Sequence, residues 1–282
     1  MKILSSIKKD LEFNRGLYSL IEVLKNIAVA QYRMCEKRIK SFKELLLNIE
    51  GFLEFIDATA INHPFLNPQD KPQEIVAITS DSGLLGGLNM QVISHAILEL
   101  EKKPGKLIVI GECGKMYARE TNVPFVSFPG IKDEEYFAQA MQIRDYCISR
   151  ILEGTYGSLK VVYPHPVVFT VQRIEVVSFL PFIPSALKPA AGEEFVPEVI
   201  LESRLEDIIE YLGYLWAGEK FYEIFGLSRL AEFAARFVHL EESNQRLKEV
   251  DAKIKLEYFR ARHELIDRNM RELFAARLLY AG

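Results

Sequence analysis

Cysteine is scarce in this chain of 282 residues: Cys35, Cys113 and Cys147 lie far apart and form no Cys-x-x-Cys pair. That argues against a disulfide-framed secreted scaffold and suits a reducing cytosol. His63, His95, His165, His239 and His263 are as scattered, and none stands at metal-ligand spacing from a Cys or an acid. The G-x-S-x-G nucleophile elbow is absent. So is any run of roughly 20 apolar residues, and the opening apolar run is broken too early by Lys and Asp for a signal peptide. Membrane association is therefore expected only through partners. The formal net charge of −4 gives no case for nucleic acid as a main partner.

Glycine and proline are both missing between Gly16 and Gly51. Apolar residues fill that stretch at alternating steps of three and four: Ala28, Tyr32, Cys35, Ile39, Phe42, Leu46, Ile49, Leu53 and Ile56, extended backward by Leu24, Ile21 and Leu17. A 3.5-residue repeat held this long predicts a coiled-coil helix. Residues 1–50 carry ten Lys/Arg against six acids. An acidic partner surface is one reading of that excess; an ordinary solvated helix face is the simpler one. A second long helix is expected over roughly 227–279, with Leu247, Val250, Ile254, Tyr258, Ala261 and Leu265 on one seam. Before it, Leu205, Ile208, Ile209, Leu212, Leu215, Trp216, Phe221, Ile224 and Phe225 form an apolar stripe that Gly213, Gly218 and Gly226 could bend or interrupt.

The middle of the chain reads differently. Asn, Pro and Asp cluster over 59–72 and mark a connection. Strands are expected at 75–79, 106–110, 123–128, 159–163 and 167–174, with helical stretches at 90–100 and 133–153 and a turn at Pro164-His165-Pro166. Alternating strands and helices imply a largely parallel sheet with right-handed crossovers, and the last two strands suit an antiparallel edge. A connection containing Pro and Gly is expected over 181–197.

The one candidate enzyme motif is Gly83-Leu-Leu-Gly86-Gly87-Leu88-Asn89, between a strand and a helix, where doubly wound folds hold phosphate. Its spacing is not G-x-G-x-x-G and no Walker lysine follows, so the glycines are expected to serve a tight turn and close packing. Asp81, beside Ser80 and Ser82, could start a polar site and reads equally well as a cap for the next helix; Asp133, Glu134 and Glu135 read as first-turn acids of theirs. No catalytic constellation emerges.

Several segments resemble the gamma subunit of F-type ATP synthase. That family carries a Ser-Asp-Arg-Gly-Leu-Cys-Gly-Gly-Leu-Asn type segment; this chain has Ser80-Asp-Ser-Gly83-Leu84-Leu-Gly86-Gly87-Leu88-Asn89. Val162-Tyr163-Pro164-His165-Pro166 and Leu180-Pro181 match the later strand pair in type and separation. Ala231-Glu232-Phe233-Ala234-Ala235-Arg236 matches a Ser-Glu-His-Ala-Ala-Arg type segment, and the stretch from Tyr258 through Arg262 and His263 to Glu272 matches the final-helix pattern. The resemblance spans essentially the whole chain in order. Departures are Leu20 to Ala28, which lacks the family's Thr and both Met, His263 in place of Gln, and Asn244-Gln245-Arg246 in place of Thr-Asp-Asn. They fit a divergent branch, such as an alternative rotary ATPase.

The resemblance implies an antiparallel coiled coil of the terminal helices (1–60 and 201–282) with a Rossmann-like α/β domain inserted at 61–200. It implies a non-catalytic central shaft, without cofactor or metal of its own. The implied partners are the alpha, beta and epsilon subunits and the membrane c-ring, at the cytoplasmic face of a bacterial inner membrane. It places partner contacts at Arg262 and His263 and at Leu24, Asn26 and Ile27. The other reading is a small α/β nucleotide-binding enzyme, or a structural paralogue, with helical arms for oligomerisation.

Overall fold

In the computed structural model, residues 4–39, 43–55, 63–67, 69–182 and 203–280 are described. The N-terminal helical segment is α1 (Leu4–Arg38) followed by α2 (Lys43–Phe55). The apolar repeat thus runs through two helices rather than one. The expected seam residues Phe42 and Ile56 lie outside the described residues, as does most of the connection expected over 181–197. Next come β1 (Gln73–Ile78), α3 (Leu88–Lys102), β2 (Gly105–Ile110), α4 (Glu112–Arg119), β3 (Phe125–Phe128), α5 (Tyr136–Leu152), β4 (Ser158–Val168) and β5 (Val171–Leu180). The chain closes on α6 (Leu205–Tyr280), one helix of 76 residues.

The glycines do not interrupt this last helix, for a packing reason. A Cβ on Gly213 would sit 2.5 Å from the Phe65 ring, and one on Gly226 3.0 Å from Ile39. The missing side chains let neighbours approach the helix closely, and that burial outweighs the roughly 1 kcal/mol by which glycine disfavours helix.

Contacts divide the chain into two units: one takes the chain up to Ala30 and from Arg236 onward, the other Gln31–Ala235. In the second, five strands form one sheet in the order β3-β2-β1-β4-β5, parallel except for β5. β1 is central and buried throughout. Its alternate residues feed two cores, as strand periodicity requires. Val76 and Ile78 join Ile143, Cys147 and Ile151 of α5, Ile209, Phe221 and Phe225 of α6, and Leu46 and Ile49 of α2. Ile75 and Ala77 join Val92 and Ala96 of α3 and Ala118 of α4. Leu46 and Ile49 thus carry the N-terminal repeat into the core of the sheet.

The turn between the last two strands also differs from expectation. β4 runs through Pro164 and Pro166, which pair in register with Ile174 and Gln172, and the chain reverses at Phe169-Thr170. Beyond Val162, β4 no longer pairs with β1. A proline facing that free edge gives up no ladder hydrogen bond.

In the first unit, α1 and α6 pair antiparallel. Asn14 Nδ2 donates to the Leu247 carbonyl at 3.3 Å, Asn244 Nδ2 to Glu22 Oε1 at 2.5 Å, and Lys25 Nζ to Glu241 Oε2 at 2.5 Å. The numbers rise on one helix as they fall on the other. Ile7, Leu11, Asn14, Ile21 and Ala28 are the buried residues of α1. On α6, Leu240 and Asn244 are buried and Leu247, Asp251, Ile254, Tyr258, Ala261 and Leu265 half-buried. Val250, expected on this seam, is 44% exposed; Asp251 holds the inward position instead.

Candidate functional site

The carboxyl ends of the parallel strands are where a doubly wound sheet offers a ligand crevice. Among the described residues that end is closely packed. After β1, Ser80 is tied to α3: its N–H donates to Asn89 Oδ1 at 3.1 Å and its Oγ accepts from Asn89 Nδ2 at 2.9 Å. The glycine turn between them holds positive φ at Leu84 (65°) and Gly86 (62°), and Gly87 is the N-cap of α3. Leu85 and Leu88 pack against Ala235 of α6. The space left among Thr79, Asn89, Pro164, Ser228 and Glu232 is ≈ 10 Å³. One water needs about that much, and a small-molecule site roughly 300 Å³ or more. Glu232, nearly excluded from solvent, adds negative charge there and bonds Arg229 at 2.6 Å.

Asp81 does cap a helix, but not α3. Its Oδ1 accepts from the N–H of Glu112, first residue of α4, at 2.9 Å, and from Gly130 N–H at 3.0 Å. With the Cys113 N–H bonded to the Ser80 carbonyl and the Gly114 N–H to Thr79 Oγ1, the amides that an anion at α4 would use are taken. Asp133, Glu134 and Glu135 all precede α5, whose first turn holds no acid; Glu135 is its N-cap, and Asp133 pairs with Arg229 at 2.9 Å.

The other buried polar groups hold elements together. Glu74 is wholly buried on β1 at the opposite, amino end of the strands, with Arg150 Nε 3.6 Å away. Burial pushes its carboxyl up to about 7, against the pull of Arg150. Arg150 lies beside the rings of Tyr146 and Tyr156 and donates to both hydroxyls. Burial raises the Cys35 thiol to about 11, which keeps it from acting as a thiolate. None of the three cysteines is in a disulfide. Among the described residues, no group of three or more His, Cys, Asp or Glu could hold a metal ion. None of their helices is long and apolar enough to cross a membrane.

The expected contact residues lie on the helix pair. Arg262 and His263 are exposed, with Ala261 and Leu265 turned inward beside them. Leu24 is half-buried, while Asn26 and Ile27 are exposed. The structure does not bring the two groups together. Lys25 pairs with Glu241, and 21 residues of helix separate Glu241 from Arg262, roughly 30 Å along the axis. Sequence reasoning missed two further features. Asn14 and Asn244 are buried at seam positions, which a search for apolar spacing passes over. Phe13, Leu20, Val23 and Ile27 on α1, and Leu256, Phe259, Ile266, Met270 and Leu273 on α6, form exposed apolar rows. Their own three-four-seven spacing was the available signal.

The comparisons with known proteins agree along the chain's length. The ATP synthase gamma chain of Symbiobacterium thermophilum is 26% identical over 276 residues, which cover 95% of each protein. A chain from the rotor of the Euglena gracilis mitochondrial ATP synthase superposes with a TM-score of 0.64 at 16% identity, covering 93% of this chain and 98% of that one. One from the central stalk and c-ring structure of the Tetrahymena thermophila mitochondrial enzyme gives 0.60 at 18% identity, covering 79% and 99%. The ATP synthase family profile matches residues 4–277. With that match spanning almost the whole length, the chain belongs to the ATP synthase family, as a gamma subunit of the F-type enzymes.

Proposed function

We propose that this gamma chain is the central shaft of a rotary ATP synthase, coupling ion flow through a membrane ring to ATP synthesis or hydrolysis in a catalytic hexamer. The observation that carries the reading is the helix pair. It is antiparallel, bonded across its seam, and it leaves rows of large apolar side chains exposed on both helices. Exposed apolar rows of this kind mark partner surfaces. The three-four spacing supports reading the pair as an antiparallel coiled coil. The parallel strand order 3-2-1-4 supports calling the sheet unit Rossmann-like. We assign 1–60 and 201–282 to the coil segments and 61–200 to the inserted domain, with the helical segments also lending residues to its core.

In this reading nucleotide chemistry belongs to the alpha and beta subunits around the coil, and the inserted domain meets the epsilon subunit and the c-ring. The chain is then non-catalytic. Its place is peripheral, at the cytoplasmic face of a bacterial inner membrane, reached through partners alone. The close packing at the strand ends weighs against the alternative, a small nucleotide-binding enzyme.

Arg262 and His263, with Leu24, Asn26 and Ile27, are the proposed contacts to the surrounding subunits. An arginine can fork onto a carboxylate or carbonyl across such an interface. The test is Arg262→Ala in the reconstituted complex. Loss of coupled ATP turnover with unchanged assembly is the expected result; turnover at the parent rate would reduce Arg262 to solvated surface.

A further inference from the structure

The helix pair of the first unit holds a partly buried, directed polar network where its neighbours along the seam are apolar. Lys25, its side chain only 15% exposed, bonds Glu241 on the opposite helix at 2.5 Å and Glu22 on its own at 3.1 Å. Glu22 also accepts from Asn244 at 2.5 Å, and Asn244 is 1% exposed. Lys25 lies 5.8 Å from the centre of the Phe237 ring as well. Ile21 and Ala28 on one helix and Leu240 on the other are buried around this cluster. Stability gains little from it, since ion pairs with partly exposed carboxylates contribute about 0–1 kcal/mol.

What such a network adds is direction. Twisting a two-helix rope shears one strand along the other. Apolar burial is non-directional and resists small sliding weakly, whereas a hydrogen bond fails within a few tenths of an ångström and a few tens of degrees. We propose that Lys25, with Glu22, Glu241 and Asn244, is a shear pin: these positioning residues fix the axial and rotational phase of α1 against α6, so that twist passes along the pair without slip. The proposal rests on the reading of the chain as a rotary shaft. It assigns a role to contacts between the chain's own two helices.

The test uses the complete complex with the chain attached to a probe, and reads ATP-driven rotation against a load. Rotation of the parent chain tests the shaft reading by itself; the difference between variant and parent tests the pin. Lys25→Met keeps length and burial but removes both ionic bonds. Its expected result is a stall torque at least twofold lower, with unloaded ATP hydrolysis and melting temperature at parent values. Lys25→Arg retains both partners and holds the parent torque. Asn244→Leu, which removes the Glu22 donor and leaves Lys25 in place, lowers the torque in the same way. Parent torque in Lys25→Met and Asn244→Leu would overturn the pin. So would an equal loss in Lys25→Arg. So would a fall in hydrolysis, assembly or melting temperature alongside torque, which would mark the network as ordinary packing.

Discussion

Glu74 offers a stability test whose size can be worked from the structure. Its carboxyl is wholly buried beside Arg150, and burial moves it from an ordinary 4.5 to about 7. A carboxyl raised in the folded state binds its proton more tightly there than in the unfolded chain. The resulting stability is fully present below pH 4.5 and is lost as pH rises to about 7. At about 1.36 kcal/mol per pH unit, the loss is about 3 kcal/mol across that window. The paired acids Glu99, Glu241 and Asp251 are shifted down by their lysine partners; their contribution is lost only at lower pH. His63 is shifted down by burial and favours the folded state as pH rises, so it works in the opposite sense. The comparison of parent with Glu74→Gln cancels it. Urea unfolding of both proteins at pH 5, 6, 7 and 8 is the assay. The stability of Glu74→Gln relative to the parent should rise by about 2–3 kcal/mol from pH 5 to pH 8. Parallel pH profiles would refute the reasoning, since they would mean that Glu74 is ionised and well solvated throughout.

Leu46→Asp should cost on the order of 3–5 kcal/mol, because the carboxylate would enter the core beside Ile49 without a cation; an unchanged thermal melt would remove α2 from that core. Gly213→Ala separates packing from propensity. Helix propensity alone predicts a gain of roughly 1 kcal/mol, but a Cβ 2.5 Å from Phe65 predicts a net loss of about 1–3 kcal/mol, so a raised melting temperature would contradict the close approach. Calorimetry with millimolar ATP, ADP, NAD or NADP should show no saturable binding. Binding of one nucleotide that is lost on replacing Gly86 with a bulky residue would favour the enzyme reading.

The sequence made the apolar architecture legible and concealed the polar part. The strands of the parallel sheet followed from short continuous apolar runs, because both faces of the sheet are covered, and the seam through Ile21 and Ala28 followed from a 3.5-residue period. Asn14, Asn244 and Asp251 occupy seam positions yet look like surface residues to the same rule. Val250 was placed on the seam for the converse reason: it is apolar and one residue away. Pro164 and Pro166 read as a turn because a proline forbids a paired N–H, but only the structure shows that β4 pairs on one side there. Asp81 was recognisable as a cap. That it caps α4 rather than α3 depends on β1 and β2 lying side by side, a long-range contact. The three glycines of α6 carry opposite meanings for propensity and packing, and the neighbours Phe65, Arg144 and Ile39 that decide between them lie far away in sequence. The contact positions at Arg262 and His263 rested on the family resemblance, since an exposed arginine has no signature of its own.

The most direct test of the shaft reading is single-molecule observation of the chain, carrying a probe on its α/β domain, assembled with alpha and beta subunits held to a surface. ATP should drive unidirectional rotation of the probe, which stops when ATP is withdrawn. Steady ATP turnover by the assembled complex with a stationary probe, or with unbiased motion only, would contradict it.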